Sequence, residues 1–226
     1  MMSIAENIDQ IKANLPKNVQ LVAVSKTKPA KFLMEAYDHG QRAFGENKVQ
    51  EMVGKHEELP KDIEWHFIGH LQSNKVKYIA PFVHLIHGVD SFKLLKAIDA
   101  EAKKTGRIIP CLIQFHIAEE ETKFGLSMEE AADILNSAEF KMLENVQLSG
   151  VMGMATYTDD ENQIRKEFAC LKNYFEKLKS DYFSEASEFR EISMGMSGDY
   201  RIAVEEGSTM VRIGSTIFGE RQYFIS

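Results

Sequence analysis

The chain has 226 residues and a mass of 25.7 kDa, enough for one α/β domain or two small ones. Hydrophobic residues make up 44% and charged residues 27%, as in ordinary globular proteins, and a net charge of −7 with a pI near 5.6 excludes the strongly basic surface of a nucleic-acid-binding protein. No run reaches the length of a membrane span, residues 1–7 lack the basic-then-apolar pattern of a secretory leader, and Cys111 and Cys170 form no redox or metal spacing, so a cytoplasmic protein is expected.

Along the chain, an amphipathic helix over 4–15, closed by Pro16, precedes the first apolar run at 20–25. Further short apolar runs predict strands at 42–45, 63–69, 83–89, 108–117, 147–154, 191–196 and 210–214. Between them, helical patterns cover 29–39, 46–58, 91–105, 128–137 and 161–180, with a short helix at 200–206. In 161–180, Ile164, Phe168, Leu171, Phe175 and Leu178 recur every three or four residues and form one apolar face. Eight strands separated by helices predict a (β/α)8 TIM barrel carrying an extra N-terminal helix, compact for that fold. The alternative is an open doubly wound sheet. That fold usually carries a glycine-rich turn after its first strand, where this chain reads Ser25-Lys26-Thr27-Lys28-Pro29. No linker or repeat divides the chain, so one domain over 1–226 is expected.

In such a barrel, chemistry gathers where strands end. Lys26 closes the first strand, a place from which a scaffold can aim one amine into a site. Partial desolvation there would lower its pKa and favour Schiff-base formation with a carbonyl. The plainer reading is a strand-end lysine reaching solvent. The last two strand ends shift the balance. Met196-Ser197-Gly198-Asp199 precedes a short helix, and Arg212-Ile213-Gly214-Ser215 ends in a second small, amide-rich loop. Loops after the seventh and eighth strands commonly hold phosphate in this fold. Metal binding is not expected: His66 and His70 do not share a helix face, and His84 and His87, three apart in a strand, should point to opposite sides.

The segments Val24-Ser25-Lys26-Thr27, Phe44-Gly45-Glu46-Asn47-Lys48-Val49-Gln50-Glu51 and Trp65-His66-Phe67-Ile68-Gly69-His70-Leu71-Gln72-Ser73-Asn74-Lys75 resemble the pyridoxal phosphate homeostasis proteins, relatives of the alanine racemase N-terminal domain. Ser193-Met194-Gly195-Met196-Ser197-Gly198-Asp199 and Val211-Arg212-Ile213-Gly214-Ser215-Thr216-Ile217-Phe218-Gly219 continue the resemblance across nearly the whole chain. It implies that Lys26 carries pyridoxal 5′-phosphate as a Schiff base. It also implies that Ser197 and the amides of Gly214 and Ser215 bind the phosphate, that Asn47 lies beside the cofactor, and that Arg212 approaches the pyridine nitrogen. Lys123-Phe124-Gly125 resembles a further family block, but His116 stands where many members carry a smaller polar residue.

An arginine at the pyridine nitrogen keeps that nitrogen unprotonated and weakens the ring as an electron sink. A racemase also needs an acid/base group on the second face of the substrate. In the two-domain racemases this is a tyrosine from a separate C-terminal domain, and no such domain is expected here. Tyr157, Tyr200 and Tyr223 are the candidates in this chain, each read more simply as a packing residue with its hydroxyl at the surface. The resemblance therefore implies a binding protein for intracellular vitamin B6 homeostasis, with a small amino-acid racemase as the alternative. A monomer is expected that binds its small-molecule cofactor and makes transient contacts with apo-enzymes, with no nucleic-acid or membrane partner.

Overall fold

The computed structural model describes residues 2–119 and 124–219. Its eight strands are β1 (Gln20–Val24), β2 (Ala43–Glu46), β3 (Glu64–Phe67), β4 (Leu85–Val89), β5 (Ile109–Gln114), β6 (Val146–Met152), β7 (Glu191–Ser193) and β8 (Met210–Ile213). They run parallel in sequence order, and β8 closes on β1 with Val22 opposite Arg212. This is the (β/α)8 barrel that the strand pattern predicts.

The predicted helices are present as α1 (Ile4–Ala13), α2 (Ala30–Asp38), α3 (Val49–Glu58), α5 (Phe92–Thr105), α6 (Met128–Asn136), α7 (Glu161–Tyr182) and α8 (Tyr200–Glu205), and two one-turn helices not predicted, α4 (Val76–Ile79) and α9 (Ser215–Phe218), join them. The extra helix α1 begins with a capping box between Ser3 and Glu6 and buries Ile4, Ile8 and Ile11. It packs on α2 and α9, where Asn7 Nδ2 donates to Ile217 O at 3.0 Å. The predicted face of α7 is buried as a unit, from Ile164 to Leu178.

Strand alternation sorts the core into two parts. Leu21, Ala23, Phe44, Trp65, Ile86, Cys111, Val151 and Val211 face outward and join the large core under the helices. Val22, Ala43, Leu85, Leu112, Met152 and Met210 form a separate, smaller cluster inside the barrel. That interior is mixed, because His66, His87, Ser193 and Arg212 are also buried on the strands that build it. Gly150 shows how tightly the strands meet. Its φ of +149° and a Cβ position only 1.8 Å from Glu191 O admit no side chain.

Several strands are shorter than their apolar runs. The run 63–69 gives only Glu64–Phe67, since the chain must turn at Gly69, where a Cβ would lie 2.4 Å from Asn47 O. The same trimming shortens 191–196 to Glu191–Ser193 and frees the following residues for a loop.

Candidate functional site

The C-terminal mouth of the barrel is built around the turn after β1. Ser25–Lys28 close this turn, with Lys28 N donating to Ser25 O at 3.0 Å, and Lys26 is half-buried within it. Thr27 adopts φ +64°, a left-handed conformation that costs a non-glycine residue about 1–2 kcal/mol. The neighbouring structure holds it there, because Thr27 N donates to Glu51 Oε1 at 2.5 Å.

A buried charge network stands behind this turn. Lys55 Nζ donates to Ser25 O (2.8 Å), Glu46 Oε1 (2.7 Å) and Glu51 Oε1 (2.7 Å), and Ser25 Oγ donates to Glu46 Oε1 (2.6 Å). Residues on both sides of Lys26 are thus fixed by one ammonium and two carboxylates. Burial pushes the Glu46 carboxyl above its usual range, and Lys55 pulls against that shift. Glu46 and Glu51 belong to the family-like segment 44–51, but their pairing with Lys55 is not visible in the sequence, because these residues lie on β2 and α3 and meet only once α3 folds back. The four-residue spacing of Glu51 and Lys55 on α3 hints at one half of it.

The loops after β7 and β8 converge at the same mouth. Gly214 N donates to Ser197 Oγ at 3.3 Å, and a Cβ on Gly214 would sit 3.0 Å from Val24 O. The close packing of Gly214 on Val24 therefore ties the β8 loop to the strand that carries Lys26. Ser215 starts α9 and is exposed, and Gly198 has open space where a Cβ would stand. Met196 N donates to Asp199 Oδ1 at 2.5 Å, which shapes the loop around Ser197. Asn47 follows β2, and its buried Oδ1 has no hydrogen-bond partner among the described residues.

Arg212 lies deeper and is almost fully buried. Its Nη1 donates to Ser193 Oγ (2.6 Å) and its Nη2 to Gly153 O (3.1 Å). Burial lowers its pKa to about 10, against the opposing charge of Asp199, so it remains a cation at neutral pH. From Ser193 a row of contacts continues down the barrel: His87 Nδ1 lies 2.9 Å from Ser193 Oγ, and His87 Nε2 lies 2.9 Å from His66 Nδ1. Burial holds both imidazoles neutral, that of His66 with a pKa of about 3.

The expectation that His84 and His87 point apart fails. β4 begins at Leu85, so His84 sits in the preceding turn, outside strand alternation, and both rings approach His66, at 5.3 and 5.2 Å. Among the tyrosines, Tyr157 does not pack as expected, since it is 97% exposed. Tyr200 is buried, with its hydroxyl 3.5 Å from Arg201 Nε. His116 is half-buried just beyond β5, where its N–H donates to Leu126 O at 3.2 Å. Lys123 and Tyr223 lie outside the described residues.

Residues 1–222 match the family described as alanine racemase, N-terminal domain. A pyridoxal phosphate homeostasis protein of Vibrio alginolyticus is 39% identical over 99% of this chain and 100% of its own. The chain belongs to this family. A second member, from Homo sapiens, is 38% identical over 99% of this chain and 86% of its own. Among solved structures, PipY of Synechococcus elongatus with pyridoxal phosphate bound superposes with a TM-score of 0.86 at 36% identity, covering 96% of this chain and 100% of PipY. An alanine racemase of Clostridium difficile shares the fold at a TM-score of 0.77 and 16% identity; this chain is 98% covered, against 58% of the racemase.

Proposed function

We propose that this family member binds pyridoxal 5′-phosphate at the C-terminal mouth, held covalently by the Lys26 amine, and serves homeostasis of that cofactor without robust turnover of amino acids. The observation that carries this reading is the convergence of Ser197 and Gly214 on the end of β1, beside the turn that presents Lys26. That relatives are pyridoxal phosphate homeostasis proteins and that PipY binds the cofactor supports pyridoxal phosphate as the ligand.

The residues present fit the group. Ser197 supplies a hydroxyl that the Gly214 N–H already meets at 3.3 Å, and the Ser215 N–H opens a helical turn whose first donors have no partner within it; an anion here would take the Ser197 hydroxyl and the Gly214 and Ser215 amides together. Asn47 brings a buried carboxamide oxygen still in need of a partner. When bound, the cofactor supplies an aldehyde for reversible capture by an amine and an electron-withdrawing ring. Lys26 is the amine, steadied by the Lys55 network. Arg212, a cation anchored on Ser193 and Gly153, serves the ring nitrogen and keeps it unprotonated, which limits electron withdrawal. Of the candidate tyrosines among the described residues, Tyr200 sits against Arg201 and Tyr157 is exposed, which favours binding over a second proton-transfer group. The reading includes a monomer that passes its cofactor to apo-enzymes through transient contacts.

Borohydride reduction of the loaded protein, followed by peptide mass spectrometry, is expected to fix the cofactor on Lys26. An undiminished adduct in Lys26→Ala would defeat the assignment. Exchange of α-hydrogens from a panel of amino acids in heavy water should not exceed the Lys26→Ala background. Lys26-dependent turnover would establish the racemase instead.

A further inference from the structure

A well-formed cleft lies at the other end of the barrel. It holds about 450 Å³ at the N-terminal mouth, lined among others by Gln20, Glu64, His66, His84, Gln147 and Glu191. Glu64, His66 and His84 each direct one ligand-type atom into this region, and these atoms all lie within 4.8 Å of one another. The grouping follows from topology. Glu64 and His66 are two apart on β3 and so share its inner face, while the β3–β4 register places His66 opposite Leu85, the residue after His84.

His66 is wholly buried and has one nitrogen to offer. Its Nδ1 is taken by His87 Nε2 at 2.9 Å, whereas its Nε2 is buried and has no hydrogen-bond partner among the described residues. A buried polar atom without a partner calls for a ligand, because leaving it unmet is costly. We propose that Glu64, His66 and His84 bind a divalent transition metal of the zinc class, with a further coordination position open to the cleft. Two imidazoles and a carboxylate are the donor set of a borderline cation and are poorly matched to calcium or magnesium, which take oxygen ligands.

Two further features suit such an ion. The remote nitrogen of a metal-bound histidine usually carries a proton donated to a fixed neighbour, and here His66 Nδ1 faces His87, itself set against Ser193. Glu64 is steadied by Gln20, whose Nε2 donates to its Oε2 at 3.3 Å. Tetrahedral ligands at zinc distances lie roughly 3.4 Å apart, so atoms now within 4.8 Å of one another must close by at most about 1.4 Å. The exposed His84 and half-buried Glu64 have room to swing toward the fixed His66. The inference does not depend on the cofactor assignment, since the two sites occupy opposite mouths and use different residues.

The test titrates the full-length protein, stripped with a chelator, with Zn2+ by calorimetry and with Co2+ by visible absorption. One Zn2+ per chain and Co2+ ligand-field bands displaced by Zn2+ are expected. His84→Ala and Glu64→Gln should each weaken binding by about tenfold or more, the loss typical for even the outer partners of a metal site. Both positions are solvent-accessible, and circular dichroism checks that the variants fold. His39→Ala and His70→Ala, which remove surface histidines paired with Asp9 and Asp90, should bind as the parent does. No saturable binding, or binding unchanged in both His84→Ala and Glu64→Gln, would overturn the site, as would loss confined to His39→Ala or His70→Ala.

Discussion

The two mouths of the barrel are made of different materials. At the C-terminal mouth, small residues and main-chain groups predominate: Gly214 packs on Val24, its N–H meets Ser197 Oγ, and Lys26 is presented by a strained turn. At the N-terminal mouth, long polar side chains (Gln20, Glu64, His84, Gln147 and Glu191) face an open cleft. A main-chain site is fixed by strand packing and tolerates little displacement. A side-chain site can adjust by rotamer changes. The difference explains why the open side-chain cleft is not where Lys26 lies: a site for one flat molecule with an anionic tail needs close backbone approach more than volume.

If the C-terminal mouth depends on rigid support, removing that support should have the largest effect. Lys55→Ala leaves Glu46 buried without its cation and strips Ser25 O of a donor. A loss of about 3–5 kcal/mol is expected in denaturant unfolding. The loss should depend on pH in a defined direction. The folded state already holds the Glu46 carboxyl above its unfolded pKa through burial, and without Lys55 that shift grows. Between the unfolded and folded pKa values the native state then binds more protons than the unfolded chain, so stability falls as pH rises. The variant should be closer to the parent at pH 5 than at pH 8. An equal gap at both pH values would remove Glu46 from the account.

The comparison also marks what was legible in the sequence. All eight strands are written as apolar runs, and α7 as a repeating apolar face, because burial imposes period and composition directly. The run 191–196 extends past its ladder because Met194 and Gly195 stay buried after strand pairing stops, whereas Ile68 and Gly69 beyond β3 are only half-buried on the way into a turn. The helices α4 and α9 are one turn long and too short to display a period. The positions of Lys26, Ser197 and Gly214 at strand ends were legible from the strand pattern, whereas the roles proposed for them and for Arg212 came from the family resemblance. The Glu46–Lys55 pair was not legible, since it joins a strand to the helix after it. The approach of His66 to His84 and His87 was hidden for the same reason: spacing within one segment says nothing about the residue on the neighbouring strand.

Ser193 joins the two mouths, receiving Arg212 Nη1 and facing His87 Nδ1 in the middle of the barrel. Ser193→Ala removes the partner of two buried groups while adding no volume. A cost of about 1–3 kcal/mol is expected, the usual penalty for buried polar groups left unpaired. Because Arg212 keeps only its bond to Gly153 O, cofactor release should also become faster. Cofactor release at the parental rate, with stability reduced, would separate the barrel interior from the C-terminal mouth and make Ser193 structural alone.

The smallest effect discriminates most finely between the two kinds of site. Gly214→Ala places a methyl group 3.0 Å from Val24 O and 3.2 Å from Val24 Cβ, so β8 and β1 must part slightly at the mouth. That strain should cost about 1–3 kcal/mol and weaken cofactor retention, because the displaced groups include the N–H at Ser197. Gly198→Ala, in the adjoining loop, meets no atom within 4 Å and should leave stability within about 0.5 kcal/mol of the parent. Thermal unfolding and cofactor off-rates on the pair test whether backbone approach or mere smallness selects glycine here. If both variants release the cofactor alike, the β1–β8 contact does not shape the site; if only Gly214→Ala does, main-chain contact is what holds this mouth in register.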